Sequence, residues 1–336
     1  MKAVLIRGDG VAAYCCAHLL TQAGIPVALE RPIRRRLPAI MLSEAAIHLI
    51  ADVVGQKNLF RDLPRIQSRT VVWGFGAEPI ALPHSAVVVS EETLLDNLRP
   101  GAVCEELAAP PEARVFASGP LPPVFEEKLF GSRIAHASRV QLTNSEDLGC
   151  WMESTDQGWL FLIGSGQGEG WLLSVGCQTN VNLGQSRLIT KQIESVGESS
   201  GAFPASPRII VPQCNSGAEG GHWLACGTAA LAFDPLCGDG TAHAVREAVL
   251  ATAVIRAIFA GELADEVFAH YESRLTAGFK RHLVNCADFY RTGGNGPWWT
   301  EQLEALQCGL DWCSDRMSQF PAFRYRLNGY QLEALV

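Results

Sequence analysis

The sequence predicts an α/β protein: a Rossmann-like dinucleotide-binding domain with an interleaved, mainly antiparallel β-sheet domain and C-terminal helices. Three observations carry this prediction. A glycine turn, Gly8-Asp9-Gly10, lies between a short apolar run and a helix-like stretch. The middle third, Ser138 to Val211, alternates apolar and polar residues as an antiparallel sheet does. The last third reads as long helices. With 336 residues the chain has room for about two domains at ~150 residues each.

Composition narrows the classes further. The chain is 48% hydrophobic and 18% charged, which excludes a disordered or fibrous protein. Twenty-seven Lys and Arg against 35 Asp and Glu give a net charge of -8, so there is no global electrostatic grip on nucleic acid. The eleven cysteines are scattered, odd in number and without a C-x-x-C pair. That pattern fits neither a zinc site nor a secreted disulfide framework, and it points to a reducing cytoplasm. Arg7 and Asp9 cut the apolar run Ala3–Ile6 too early for a signal peptide. No window offers the ~18 uninterrupted apolar residues of a membrane span; Arg256 breaks the best candidate, Val249–Ala260. No membrane partner is expected.

In chain order, Lys2–Arg7 suits a buried strand, Val11–Gln22 a helix ended by Gly24, and Pro26–Glu30 a second strand. Ser43–Val54 reads as a helix, Thr70–Phe75 and Ala86–Val89 as β runs, and Glu91–Leu98 as a helix. Ala113–Ala117 is a further buried strand, flanked by Pro110, Pro111, Pro120, Pro122 and Pro123. Gly158–Ile163 and Gly170–Val175 form a hairpin around a glycine-rich tip. Trp223–Cys226 is an apolar strand before the helices Thr241–Phe259, Ala264–Tyr290 and Thr300–Ser318.

The first constellation is Gly8-x-Gly10-x-x-Ala13 between strand and helix. Gly8 permits a tight turn, Gly10 lets the backbone approach a pyrophosphate, and Ala13 allows close helix–strand packing. The helix start at Val11 and Ala12 offers free N–H groups to phosphates. Glu30, twenty residues after Gly10, can accept hydrogen bonds from a ribose diol. Arg31 and Arg36, with Arg34 and Arg35 between them, either contact the adenosine or pyrophosphate or form a solvated face. Asp9 is expected to point to solvent, because a carboxylate beside phosphates is unfavourable. The motif selects an ADP-ribose moiety without distinguishing FAD from a nicotinamide dinucleotide.

The second constellation runs from Gly227 to Ala248: strand, loop, a Pro235-Leu-Cys-Gly-Asp-Gly240 turn, then a helix. This stretch resembles the Gly-Asp-Ala-Ala-His-x-x-x-Pro-x-x-Gly-x-Gly signature of the FAD-dependent aromatic hydroxylase superfamily, which includes p-hydroxybenzoate hydroxylase and the tryptophan halogenases. Gly227, Ala229, Ala230, Asp234, Pro235, Gly238, Gly240, Arg246, Glu247 and Ala248 match in register. The resemblance implies FAD as cofactor, held by the first motif and by Gly227, Thr228, Asp234, Pro235, Gly238, Asp239, Gly240, Thr241 and Ala242. There the helix start at Gly240 would stabilise negative charge on the reduced flavin.

The sequence departs from the signature at several positions. Thr228 stands for the usual Asp and Leu231 for the usual His; Ser118 replaces the acid of the second motif, and Glu91 or Glu92 replaces an expected Arg. The halogenase Trp-x-Trp-x-Ile-Pro signature is echoed only in part by Trp159-Leu-Phe161-Leu-Ile163-Gly164, and Lys57 is the only lysine between Leu37 and Asn58. The stretches Asp147–Glu153, Pro235–Gly240 and Gly296–Trp299 resemble flavoproteins that mature quinone cofactors by hydroxylating a tryptophan within a partner enzyme.

Other signals read as structural. Gly164–Gly170 has no following helix and no lysine, so it is a hairpin tip rather than a phosphate loop. Ser165 lacks the spacing of a nucleophile elbow, and the eight histidines include no His-x-x-x-His pair, so no metal is expected. Trp151, Trp159, Phe161 and Trp171 read as core before pocket lining; His243 and Cys237 read as packing beside the flavin loop.

The resemblance thus implies an FAD-dependent monooxygenase that hydroxylates an indole- or phenol-like ring through a flavin C4a-hydroperoxide. The substrate is a small aromatic compound or a protein-bound tryptophan. The alternatives are a quinone-cofactor maturation enzyme, a halogenase-like enzyme, or a non-catalytic FAD-binding partner protein. No catalytic side chain is identified. Residues 1–64, 90–124 and 206–262 are expected to bind FAD, 65–89 and 125–205 to form the substrate sheet, and 263–336 a helical region. That division leaves no separate nicotinamide-binding domain, so electrons come from transiently bound NAD(P)H or an external flavin reductase.

Overall fold

The computed structural model describes residues 2–101, 103–104, 106–121, 125–144, 148–217 and 221–335. Pro122, Pro123 and Asp147, named above, lie outside the described residues. Seven α-helices are present among them: α1 (Val11–Gln22), α2 (Glu44–Val54), α3 (Glu91–Leu98), α4 (Thr179–Gln185), α5 (Gly240–Ala260), α6 (Ala264–Gly293) and α7 (Pro297–Ser318).

The first sheet has five strands in the order Cys214–Ser216, His222–Ala225, Ala113–Phe116, Val4–Arg7, Val27–Glu30. The last four run parallel, so the chain must cross over between them. Helix α1 makes the first crossover. Ala13, Cys16 and Ala17 are fully buried on it, and these small side chains let α1 lie close against its neighbours. Its end is set by Gly24, whose φ of +74° turns the chain into the next strand.

The second sheet has eight strands, antiparallel except where Ile66–Val72 runs parallel to Cys150–Thr155. Its hairpin Gly158–Gly166/Glu169–Gly176 closes on Gln167 and Gly168, with φ of +58° and +76°. Two consecutive left-handed residues match the right-handed twist of the strands, so the glycine-rich tip is a two-residue turn. Ile40–Ser43 also joins this sheet by pairing with Ala86–Val89, a strand that the sequence reading missed. Glu126–Leu129 pairs instead with Arg208–Val211, in a three-stranded sheet completed by Leu231–Ala232.

The C-terminal third is not wholly helical. After α7 the chain forms a hairpin, Tyr325–Asn328 with Gln331–Ala334, and Tyr330 donates to the Asp52 carbonyl at 3.0 Å. The middle third likewise contains α4, which its alternation hid. One large core links the five-stranded sheet, α1, α5 and α6; Phe279, Leu283 and Tyr271 of α6 are completely or almost completely buried in it. No described helix is long and apolar enough to cross a membrane.

Candidate functional site

Gly8 follows the first strand at its C-terminal end, beside Ala117. A Cβ on Gly8 would stand 2.9 Å from the Ala117 Cβ and 3.1 Å from the Ala13 Cβ, so the turn admits only glycine. Gly10 is the N-cap of α1 in extended backbone and brings no side-chain cap. Val11, Ala12 and Ala13 form a first helical turn whose N–H groups no side chain occupies. The hydroxyl of Ser118 is shut from solvent without a hydrogen-bond partner. Such an orphan is rare enough to need an explanation, and a ligand hydroxyl or phosphate supplies one.

The basic run is partly a solvated face, with Arg31, Arg34 and Arg35 exposed, and partly a set of contacts to Asp9. Arg34 and Arg36 donate to the Asp9 carbonyl, and Arg36 also pairs with the Asp9 carboxylate at 2.6 Å. Asp9 therefore does not point to solvent: it is buried and accepts from the Tyr14 hydroxyl at 3.2 Å. Pairing with Arg36 neutralises the carboxylate, which is why it tolerates this position. Arg31 lies over the Tyr14 ring, 5.7 Å from its centroid, and Glu30 stays exposed with Arg7 at 3.5 Å. Arg34 also forms an ion pair with the buried Glu91, which accepts from the Leu37 amide at 2.8 Å. The acid at the head of α3 is thus matched by a base in the preceding loop.

The second motif meets the first at Gly227, whose φ is +59°; a Cβ there would lie 2.7 Å from the Ala12 Cβ. Glu247 of α5 is fully buried and accepts from the Gly227 amide; burial pushes its carboxyl up, well out of the usual carboxylate range. Thr228 is exposed, and its carbonyl accepts from Arg208. Asp234 is placed differently from the expectation. Its carboxylate is enclosed by Arg133 at 3.1 Å, the Tyr290 hydroxyl at 2.8 Å and the Leu236 amide at 2.9 Å. It holds the Pro235–Cys237 turn and presents no free oxygen outward. Gly238 (φ +62°), Asp239, Gly240, Thr241 and Ala242 then lead into α5, again without a side-chain cap, because Asp239 turns to Arg246 at 2.9 Å.

The loop borders a cavity of about 790 Å³ between the eight-stranded sheet and α6. Arg69 and His84 line it from the sheet, Phe233, Cys237, His243 and Arg246 from the loop and α5, and Arg274, Arg281 and His282 from α6. Among the described lining residues the cations Arg69, Arg246, Arg274 and Arg281 face Asp239 and the buried Glu247 as the only acids, so the cavity suits an anionic guest. His243 stacks on Phe233 with centroids 4.1 Å apart, and burial lowers its pKa to about 4, leaving the ring neutral at pH 7. Trp151 and Trp159 are core: the Trp159 indole donates to the Tyr290 hydroxyl at 3.2 Å, which links the large sheet through α6 to Asp234.

Sequence reasoning also missed a cluster. Cys237, His282 and Cys286 bring their sulfur and nitrogen atoms within 4.8 Å of one another. The available signal was the four-residue spacing of His282 and Cys286, which sets both on one face of a helix. The Cys237 and Cys286 thiols share a hydrogen bond at 3.8 Å, which pulls the Cys237 thiol down to about 6 and pushes Cys286 well up.

Two glycine turns, two uncapped helix starts and one orphaned hydroxyl fit an ADP-linked cofactor. The architecture, a mainly parallel five-stranded sheet beside a large mainly antiparallel one, is the α/β fold class that the motifs predict. No known family profile and no curated protein sequence matches the chain. Among solved structures it is similar to the peptidyl tryptophan dihydroxylase QhpG, essential for tryptophylquinone cofactor biogenesis. That match has 17% identity and a TM-score of 0.74, over 99% of this chain and 86% of that one. It is similar also to CmlS, a flavin-dependent halogenase (18% identity, TM-score 0.74, 95% of this chain and 72% of that one). A third match is 2,6-dihydroxypyridine-3-hydroxylase from Arthrobacter nicotinovorans (13% identity, TM-score 0.62, 88% and 94%). At these identities the likeness is one of fold.

Proposed function

We propose that this protein is an FAD-dependent monooxygenase that hydroxylates an electron-rich aromatic ring. The observation that carries the reading is the meeting of the two motifs: Gly227, at the head of the second, lies against Ala12 in the first turn of α1, and the second motif runs on to border the cavity. Residues 1–64, 90–124 and 206–262 would supply the cofactor-binding part and the large sheet the substrate side. When bound, FAD would supply the activation of molecular oxygen.

The chain's own residues supply position and charge. Gly8, Gly10 and the first-turn amides of Val11, Ala12 and Ala13 would hold the pyrophosphate, and Glu30 the ribose. Gly238, Asp239, Gly240, Thr241 and Ala242 would present amides to the ring system. Asp234, tied to Arg133 and Tyr290, keeps that loop in place. The cavity walls would orient the substrate and exclude water, and neutral His243 is available as a hydrogen-bond partner for a phenol hydroxyl or indole N–H at pH 7.

A protein-bound tryptophan is a second reading of the substrate, favoured by the similarity to the peptidyl tryptophan dihydroxylase over 99% of this chain. Purified protein is expected to carry flavin absorbance bands, and Gly10→Glu, which sets a carboxylate where the pyrophosphate would lie, to remove them. A protein that binds no FAD even on reconstitution overturns the proposal. Substrate-dependent oxygen consumption with a reductant separates the enzyme from a mere binding protein.

A further inference from the structure

The cluster beside the cavity stands apart from the cofactor reading. Cys237 ends the Pro235–Cys237 turn and lines the cavity, partly exposed. Cys286 lies on α6, completely buried, with its sulfur 3.8 Å from that of Cys237 and 3.3 Å from the His282 Nε2. Two sulfurs at that distance touch. A disulfide needs them to close to ~2 Å.

We propose that Cys237 and Cys286 form a reversible disulfide, with Cys237 the attacking thiol and Cys286 the resolving one, and that the oxidant is a low-molecular-weight disulfide reaching Cys237 through the cavity. In the first step the Cys237 thiolate attacks one sulfur of oxidised glutathione. The S–S bond breaks, and one glutathione thiolate leaves. In the second step the Cys286 sulfur attacks the Cys237 sulfur and its proton passes to the departing sulfur of the second glutathione, which leaves as a thiol, while the first glutathione thiolate takes up the proton that Cys237 released on ionising. Two protein thiols are oxidised to one disulfide, and one small disulfide is reduced to two thiols.

The surroundings divide the two roles. Cys237 has access, and Cys286 and His282 beside it favour its thiolate, while burial and Asp234 oppose it. Cys286 keeps its proton and has no access, as a resolving thiol requires. A metal is the other use of such a trio. Here the Asp234 amide donates to the His282 Nε2 at 2.8 Å, which occupies the lone pair that a metal would need. The bridge would join residues 49 apart in sequence and tie the loop to α6.

The fold contains its own control. Cys16 and Cys226 lie 3.9 Å apart, both completely buried, where no oxidant reaches them. The test incubates the full native chain in glutathione redox buffers, traps free thiols by alkylation, and maps peptides by mass spectrometry with a zinc determination alongside. Expected is a linked Cys237–Cys286 peptide that a dithiol reverses, while Cys16 and Cys226 stay unlinked until the chain unfolds. A brief exposure should catch glutathione on Cys237 in the wild type, and Cys286→Ser should accumulate that mixed disulfide. Absence of the linked peptide, glutathione on Cys286 rather than Cys237, or stoichiometric zinc that shields the pair overturns the proposal.

Discussion

The Arg133 guanidinium and the Asp234 carboxylate meet at 3.1 Å with neither side chain reaching solvent. Arg133 immediately precedes the strand Ile134–Leu142 of the large sheet and Asp234 lies in the loop before α5, so one ion pair joins the two halves of the site. The pair is a poor source of net stability, because both charges lost their water. Removing one partner is a different matter, since the other is left charged and buried. Arg133→Met is therefore expected to cost about 3–5 kcal/mol, and the double variant Arg133→Met/Asp234→Leu less than the sum of the two single changes. Denaturant unfolding of the three variants checks this. Additive losses would show that the two residues act separately.

That pair marks the boundary of what the sequence disclosed. Gly8, Ala13 and Gly238 were legible because a close approach or a positive φ restricts the residue type locally. Helix α1 was read to the residue, and Glu91–Leu98 likewise, since Ser90 caps it by accepting from the Thr93 amide. Arg133 was invisible, for it sits 101 positions from Asp234 and carries no local pattern. The same holds for Arg34 with Glu91 and for Cys237 with Cys286: each is a long-range meeting that only the packed chain creates. Asp9 was misjudged because its neutralising partner, Arg36, arrives from 27 residues away.

Gly227 tests how tightly the two motifs must meet. Its φ of +59° suits glycine, and an added Cβ would stand 2.7 Å from Ala12. Gly227→Ala combines a left-handed alanine with a backbone-level clash, so a loss of roughly 2–4 kcal/mol is expected. Because α1 must then move, FAD affinity should fall as well. Thermal unfolding and flavin titration of this variant give the two readouts. A protein with unchanged melting and unchanged flavin binding would disprove the close approach.

The Asp9–Arg36 pair predicts opposite effects from its two members. Seen from the phosphate turn, the pair is neutral. Asp9→Asn leaves the arginine charge uncompensated and should tighten FAD binding by several-fold, or about 0.5–1 kcal/mol at a partly exposed site. Arg36→Gln leaves the carboxylate uncompensated and should weaken binding by at least as much. Flavin fluorescence titration at low and at high salt is the measurement. Both effects should shrink as salt screens them.

Two histidines give the fold a defined acid sensitivity. His243 and His270 both have pKa values lowered to about 4, chiefly by burial, from an ordinary 6.5. For His243, Asp239 favours the charged form while Arg246, His282 and Arg281 oppose it; for His270, Arg274 opposes it. The unfolded chain takes up these protons near pH 6.5 and the folded chain only near pH 4. Stability from this source is therefore complete above pH 6.5 and is lost as the pH falls toward 4. Water still reaches part of the His243 ring, whereas both His270 ring nitrogens are shut from solvent, so the linked loss is about 1 kcal/mol for His243 and at least as much for His270. His270→Asn should flatten the stability curve between pH 6.5 and 4 without changing flavin binding, since His270 lies outside the cavity beside Phe323 and Tyr325. His243→Asn should flatten it by a similar amount and also disturb the cavity, because its ring stacks on Phe233. Melting temperatures of the three proteins at pH 7, 6, 5 and 4.5 decide it. Wild-type and variant curves that run parallel through this window would show that neither ring is held neutral by the fold.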